Sequence, residues 1–196
     1  MARVTLRPVR QRDVPIVRRL VQLYVYDLVG ERWGVEADGT YAPRRWHRRF
    51  WRGDDRHHFL VRVNGRPAGF ALVRELPPVR GVPSREMAEF FVLRTYRRRG
   101  VGTRVARALF RRFPGRWELS VLTSNVIARP FWRRVIRRVA VGPAVTRARR
   151  QGDLRSLVWH FHTAPPPARR GVSVGVRRKR SGGRRPRSAV ANRPSA

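Results

Sequence analysis

Arg97, Gly100 and Gly102 stand at the spacing Arg-x-x-Gly-x-Gly, with Arg98, Arg99 and Val101 inside it and Thr103 directly after. Glycines at such positions let the backbone adopt positive φ and let an anion come close where a Cβ would otherwise stand. If a helix begins there, its first amides point at the same anion, so the pattern describes a phosphate cradle. A basic turn without a ligand uses the same residues, and the surroundings must decide between the two. Upstream, Glu89 is the sole charge in the apolar run from Met87 to Leu93. Desolvation there raises a carboxyl pKa towards the range in which a carboxylate accepts a proton; the alternative is a pairing with one of the many arginines. The chain has no cysteine, and its five histidines lack a metal-ligand arrangement, so no metal is expected.

The elements around these residues form a legible order. A strand over Arg3 to Leu6 precedes Asp13, a helix N-cap, and Pro15 in the first turn. Val17, Leu20, Val21, Tyr24 and Leu28 then recur at helical spacing. Residues 29–56 read as short helix and exposed loop. The runs HHFLVRV and RPAGFALV flank Asn64-Gly65, the signal of a β-hairpin. After a break at Pro77-Pro78, the Met87 to Leu93 run reads as a strand covered on both faces. A helix follows from Gly102 to about Arg112, stopped by Pro114-Gly115, and then a strand from Trp117 to Leu122. A helix from near Val126 carries Phe131, Trp132, Val135 and Ile136, and Leu157 to Phe161 reads as the last strand. This order predicts an α+β fold with one mixed sheet, not an alternating doubly wound one.

The 196 residues suffice for one domain with an appendage. The net charge of +34 draws such a chain to polyanions, yet Lys179 is the only lysine, and nearly pure arginine is also what GC-rich coding produces. Residues 1–163 form the expected folded domain, and residues 164–196 an expected disordered tail with ten basic residues and no acid. That leaves 36 basic and 12 acidic side chains in the folded part. No apolar run approaches the ~20 residues of a membrane span, and the charged N-terminus is unlike a signal peptide, so a cytoplasmic protein is expected.

The stretch from Val92 through Arg97, Gly100 and Gly102 resembles the central signature of the GNAT N-acetyltransferase superfamily, a strand valine followed by a glycine loop that opens a helix. Leu119-x-Val121 leading to Asn125-x-x-Ala128-x-x-Phe131-Trp132 is similar to the second half of that signature. Arg7-Pro8, Asp13 and Gly69-Phe70-Ala71 look like further landmarks, in the right order over roughly residues 2–140. Tyr26-Asp27 and Asp38-Gly39-x-Tyr41 resemble a pattern of some bacterial members.

The resemblance implies a single mixed, largely antiparallel sheet flanked by helices, and transfer of an acetyl group from acetyl-CoA to a primary amine by direct attack. It implies that the CoA pyrophosphate sits on the amides from Arg98 to Thr103, including those of Arg99, Gly100, Val101 and Gly102, with arginine side chains, Arg97 among them, adding charge. Pantetheine would pair with the strand edge at Val92 and Leu93, Asn125 would contact the cofactor arm, and Glu89 would serve as the base. Members commonly carry a tyrosine at the position of Trp132 to protonate the leaving thiolate, which an indole cannot do. Asp27, Glu31, Glu36 and Asp38 gather where the family builds its acceptor wall, which suits a cationic amine. Competing readings are a nucleic-acid- or ribosome-binding protein contacting polyanions through its basic tail, and a CoA sensor with little turnover.

Overall fold

The computed structural model describes residues 2–29, 34–41 and 50–164. The expected tail from Pro165 onward and Glu31 lie outside them. The described elements are β1 (Val4–Pro8), α1 (Val14–Val29), β2 (Arg56–Val63), β3 (Arg66–Val79), β4 (Val82–Val92), α2 (Val101–Arg112), β5 (Gly115–Leu122), α3 (Ala128–Val139), β6 (Val145–Gln151) and β7 (Leu154–Thr163). Seven strands form one sheet in the order β1-β2-β3-β4-β5-β7-β6. Every neighbouring pair is antiparallel except β4 with β5. The expected α+β mixed sheet flanked by helices is the fold observed.

Asn64 and Gly65 adopt φ of 50° and 80°, the doubly left-handed turn that joins β2 to β3 without splaying them. The expected break at Pro77-Pro78 is absent. β3 runs through both prolines, and the register shift between Leu76 and Val79 marks where ladder bonds that proline cannot make are skipped. The chain reverses only at Arg80-Gly81, at φ of 52° and 74°. Strand β6 was not anticipated either: all seven of its residues are exposed, so it shows no alternation of apolar and polar side chains.

Two cores cover the two faces of the sheet. Val17, Leu20, Val21 and Val25 of α1 pack on Leu60, Phe70, Leu72 and Phe91. Helices α2 and α3 cover the other face through Val105, Leu109, Phe110, Trp132 and Ile136, against Val61, Val73, Met87 and Trp117. Trp117 is 1% exposed, and its indole N–H donates to the Phe113 carbonyl at 3.0 Å, so its large apolar area is buried without stranding a polar atom. Asp13 immediately precedes α1 as expected, but its carboxylate accepts from the Arg10 N–H and from Arg62 rather than from helix amides.

Candidate functional site

β4 and β5 lie parallel and in register only from Ser84 opposite Arg116 to Glu86 opposite Glu118. Beyond that, β4 continues on β3 as far as Val92 opposite Gly69, and β5 continues on β7 as far as Leu122 opposite Ser156. The sheet is therefore split between Met87–Val92 and Leu119–Leu122, and two strand edges face each other across the opening. The Leu93 N–H donates to the Ala68 carbonyl at 2.9 Å. Alternation along the strand then turns the backbone groups of Phe91 towards β3, and those of Phe90 and Val92 towards the split. This corrects the expectation for Leu93: its carbonyl accepts from the Tyr96 N–H, so both of its backbone groups are used within the protein. The Val92 carbonyl is likewise taken, by Arg97 Nε at 2.7 Å. The edge that a ligand can extend consists of Phe90 and the Val92 N–H.

The split opens onto the glycine loop. After the turn Arg94–Tyr96, Arg98 and Gly100 both adopt left-handed backbone, at φ of 58° and 75°. Such φ values turn successive amides inward and form a concave anion site. Gly100 precedes α2, and no side chain caps that helix, so the first amides, of Val101, Gly102 and Thr103, keep their donors for a ligand. Gly102 has a packing role besides its place in the loop. A Cβ there would stand 3.2–3.3 Å from the Phe131 ring, so its missing side chain lets α3 pack against α2. Arg97 differs from the phosphate contact expected of it. Its guanidinium bonds to Val92 and to Asp27, ties the end of α1 to the end of β4, and lies 5.7 Å from the centre of the Phe91 ring. Arg98 and Arg99 are exposed, and no carboxylate among the described residues pairs with them.

Glu89 reaches its position through a bulge. Leu72 is opposite Glu89 and Val73 is opposite Met87, which leaves Ala88 as the extra residue. Ala88 and Phe91 pack on the α1 side, and Met87 and Phe90 on the other. Strict alternation would put Glu89 among the α2 and α3 side chains; the bulge re-aims it to the α1 face. There the Tyr24 hydroxyl donates to Glu89 Oε2 at 2.5 Å. Burial, followed by the charge of Glu89 and this hydrogen bond, pushes the Tyr24 phenol well above its usual value, so Tyr24 stays a neutral donor. Sequence reasoning took Tyr24 as part of the apolar stripe of α1 and as one of four tyrosines besides Trp132, without pairing it with Glu89. The available signal was its hydroxyl, which needs a partner when the ring is covered.

Trp132 is 5% exposed and meets Phe90 edge to face at 4.9 Å, so the residue where a tyrosine acid was expected is an apolar wall of the split. Asn125 Oδ1 accepts the Ala128 N–H at 3.0 Å and holds the start of α3, and its amide nitrogen donates to no partner among the described residues. Of the expected acidic acceptor wall, Asp38 accepts both donors of Thr40 in a turn, and Asp27 is held by Arg94 and Arg97. Burial alone would raise the Asp27 carboxyl, but the two arginines outweigh it and hold it below the usual carboxylate range. A carboxyl with a depressed folded-state pKa adds stability above its unfolded pKa and loses it as pH falls through the folded value. Asp27→Asn is therefore expected to cost on the order of 1–3 kcal/mol at pH 7, a cost that shrinks as pH falls through and below the usual carboxylate range, measured by urea unfolding across that range.

Comparison with known proteins agrees with this geometry. The model of the Acetyltransferase (GNAT) family matches residues 23–136. The fold resembles the ribosomal-protein-S18-alanine N-acetyltransferase of Escherichia coli, with 13% identity, a TM-score of 0.53, and 85% of this chain and 97% of that one covered. It also resembles Arabidopsis thaliana Naa50 in complex with the bisubstrate analogue CoA-Ac-MVNAL, with 15% identity, a TM-score of 0.51, and 80% and 97% covered. Arabidopsis thaliana NAA60 in complex with acetyl-CoA matches at 13% identity and a TM-score of 0.54, with 82% and 99% covered. No curated protein sequence matches the chain. With the model matched over more than half of its length, the chain belongs to the GNAT acetyltransferase family, and the split mixed sheet with a glycine loop at its mouth is its candidate site.

Proposed function

We propose that the protein transfers an acetyl group from acetyl-CoA to a primary amine. The observation that carries this reading is the continuous path from the open edge of β4 at Phe90 and Val92 to the left-handed Arg98–Gly100 loop and the uncapped start of α2. Pantetheine amides would extend the β4 edge as an added strand. The pyrophosphate would sit on the amides of Arg98 to Thr103, with Arg98 and Arg99 supplying charge. The Phe90 N–H, turned into the split, would stabilise the oxyanion that forms as the amine attacks the thioester carbonyl.

An alkylammonium has a pKa near ~10.4 and must lose a proton before it attacks. Glu89 would take that proton, with Tyr24 fixing the orientation of its carboxylate. Trp132 offers no acid, and CoA thiolate, whose thiol has a pKa near ~8.5, leaves without one near neutral pH. Two of the structural neighbours act at, or are bound to, peptide N-termini, which supports an α-amine or another primary amine as acceptor.

The test is calorimetric binding of acetyl-CoA at about 0.3 M salt, which screens loose attraction to this cationic chain. ATP serves as the polyanion control, and Thr103→Glu as the variant. A glutamate on the third residue of α2 suits the helix dipole, so the fold should hold or gain slightly, while the pyrophosphate meets a like charge. Affinity for acetyl-CoA is expected to fall at least tenfold, about 1.4 kcal/mol. Equal, weak binding of acetyl-CoA and ATP by both proteins would remove the donor site.

A further inference from the structure

A second concave site lies at the far edge of the sheet, where β1 is the edge strand and β2 and β3 separate it from β4. Arg3, Thr5 and Arg7 alternate onto one face of β1, where Thr5 is opposite Arg62 and Arg7 is opposite Leu60. Leu60 belongs to the α1-side core, so this face is the one α1 covers further along. Arg10, Arg12 and Asp13, in the turn before α1, close the groove, which encloses about 630 Å³.

Five arginines and one carboxylate line it, and the carboxylate is already spent: Asp13 accepts from Arg62 at 3.2 Å and from the Arg10 N–H at 3.3 Å. Arg62 is braced further by the Gly65 carbonyl at 3.0 Å, and the Arg3 N–H by Asn64 Oδ1 at 2.8 Å. Among the described residues no carboxylate pairs with Arg3, Arg7, Arg10 or Arg12. Four unpaired guanidinium groups held around one hollow repel one another, and a run of anionic oxygens relieves that repulsion. Arg3 and Arg7 are ~13 Å apart along the strand. One strand of a duplex presents about four phosphates over that rise. Among the described residues no aromatic side chain lines the groove, and the residues that do offer no platform on which unpaired bases could stack.

We propose that this groove binds the phosphate backbone of a nucleic-acid duplex, independently of base sequence. The contact uses none of the residues of the proposed acetyl-transfer cleft.

The abundance of arginine gives any surface of this chain a loose attraction for phosphate, so the test must compare positions at equal charge. In the full-length protein, Arg7→Ala with Arg10→Ala is compared with Arg133→Ala and Arg134→Ala, two exposed arginines of α3. The probe is a fluorescein-labelled DNA duplex of about 20 base pairs, titrated across salt concentrations. Loss of two phosphate contacts lowers the slope of log K against log salt by about 1.8 and weakens binding about thirty-fold at about 0.15 M salt. The α3 pair is expected to change binding less than about threefold. Both variants should keep the melting temperature and the acetyl-CoA affinity of the parent, which makes this test independent of the proposed activity. If the groove pair disturbs folding, Arg12→Glu alone should give a loss in the same direction. Equal losses from the two pairs would overturn the proposal. So would a groove variant that binds the duplex normally while losing affinity only for a single strand or for phosphatidylserine vesicles.

Discussion

Glu89→Gln is expected to lower turnover about 10²- to 10⁴-fold while leaving acetyl-CoA affinity within twofold of the parent. The amide keeps the shape of the carboxylate and can still accept the Tyr24 hydroxyl, so the fold should not register the change. What disappears is the capacity to take a proton from the incoming ammonium. The loss should shrink as pH rises towards the pKa of the acceptor, because a growing fraction of amine then arrives already deprotonated. Tyr24→Phe separates positioning from packing in the same assay. It keeps the ring contacts with Phe70 and Phe91 and removes only the donor. Without that donor the Glu89 carboxylate is less firmly oriented, and turnover should fall while acetyl-CoA affinity stays within twofold of the parent. A full-rate Glu89→Gln enzyme across neutral pH would show that the amine loses its proton to water instead.

The largest expected stability effect lies at Gly69. A Cβ on this residue would stand 2.0 Å from the Phe91 carbonyl oxygen and 3.0 Å from the Val92 Cα, both backbone atoms that no rotamer change can move. Gly69→Ala must therefore push β4 away from β3 at the point where β4 has lost β5 on its other side. The expected cost is about 3 kcal/mol or more by urea unfolding. Because the displaced segment is Phe91–Val92, acetyl-CoA affinity should fall along with stability, which would not follow from a similar lesion in β6. A cost under about 1 kcal/mol would mean that the two strands part without resistance.

The sequence was most informative where backbone chemistry is local. Asn64-Gly65 specifies its turn by itself, and the glycine loop between an apolar strand and an amphipathic helix specifies its place in the fold. It was least informative where tertiary contacts reassign a residue. Nothing in the run Met87 to Leu93 announces that Ala88 is a bulge, yet the bulge decides which face Glu89 occupies. Arg97 matches a phosphate-loop position but spends its guanidinium on Val92 and Asp27, because the end of α1 comes to lie beside it. The same contact withdraws Asp27 from the acidic wall read from local composition. Strand β6 escaped because a strand exposed on both sides needs no pattern, and Pro77-Pro78 misled because a bulged strand tolerates prolines that a regular one would reject.

The opening between β4 and β5 gives the fold an unfinished seam. Three register pairs hold the four-stranded half, β1 to β4, to the three-stranded half, β5 to β7, within the sheet, and beyond Glu86 the halves are joined only through the α2 and α3 core on one face. A pantetheine chain bonded to the β4 edge would act as a keystone, filling the place of a missing strand with groups that are not part of the polypeptide. The stability of the domain against unfolding would then rise and fall with the supply of donor, gaining about 2.7 kcal/mol when the donor stands at 100 times its dissociation constant. After each turnover, the departure of CoA would loosen the framework that had aligned the reaction.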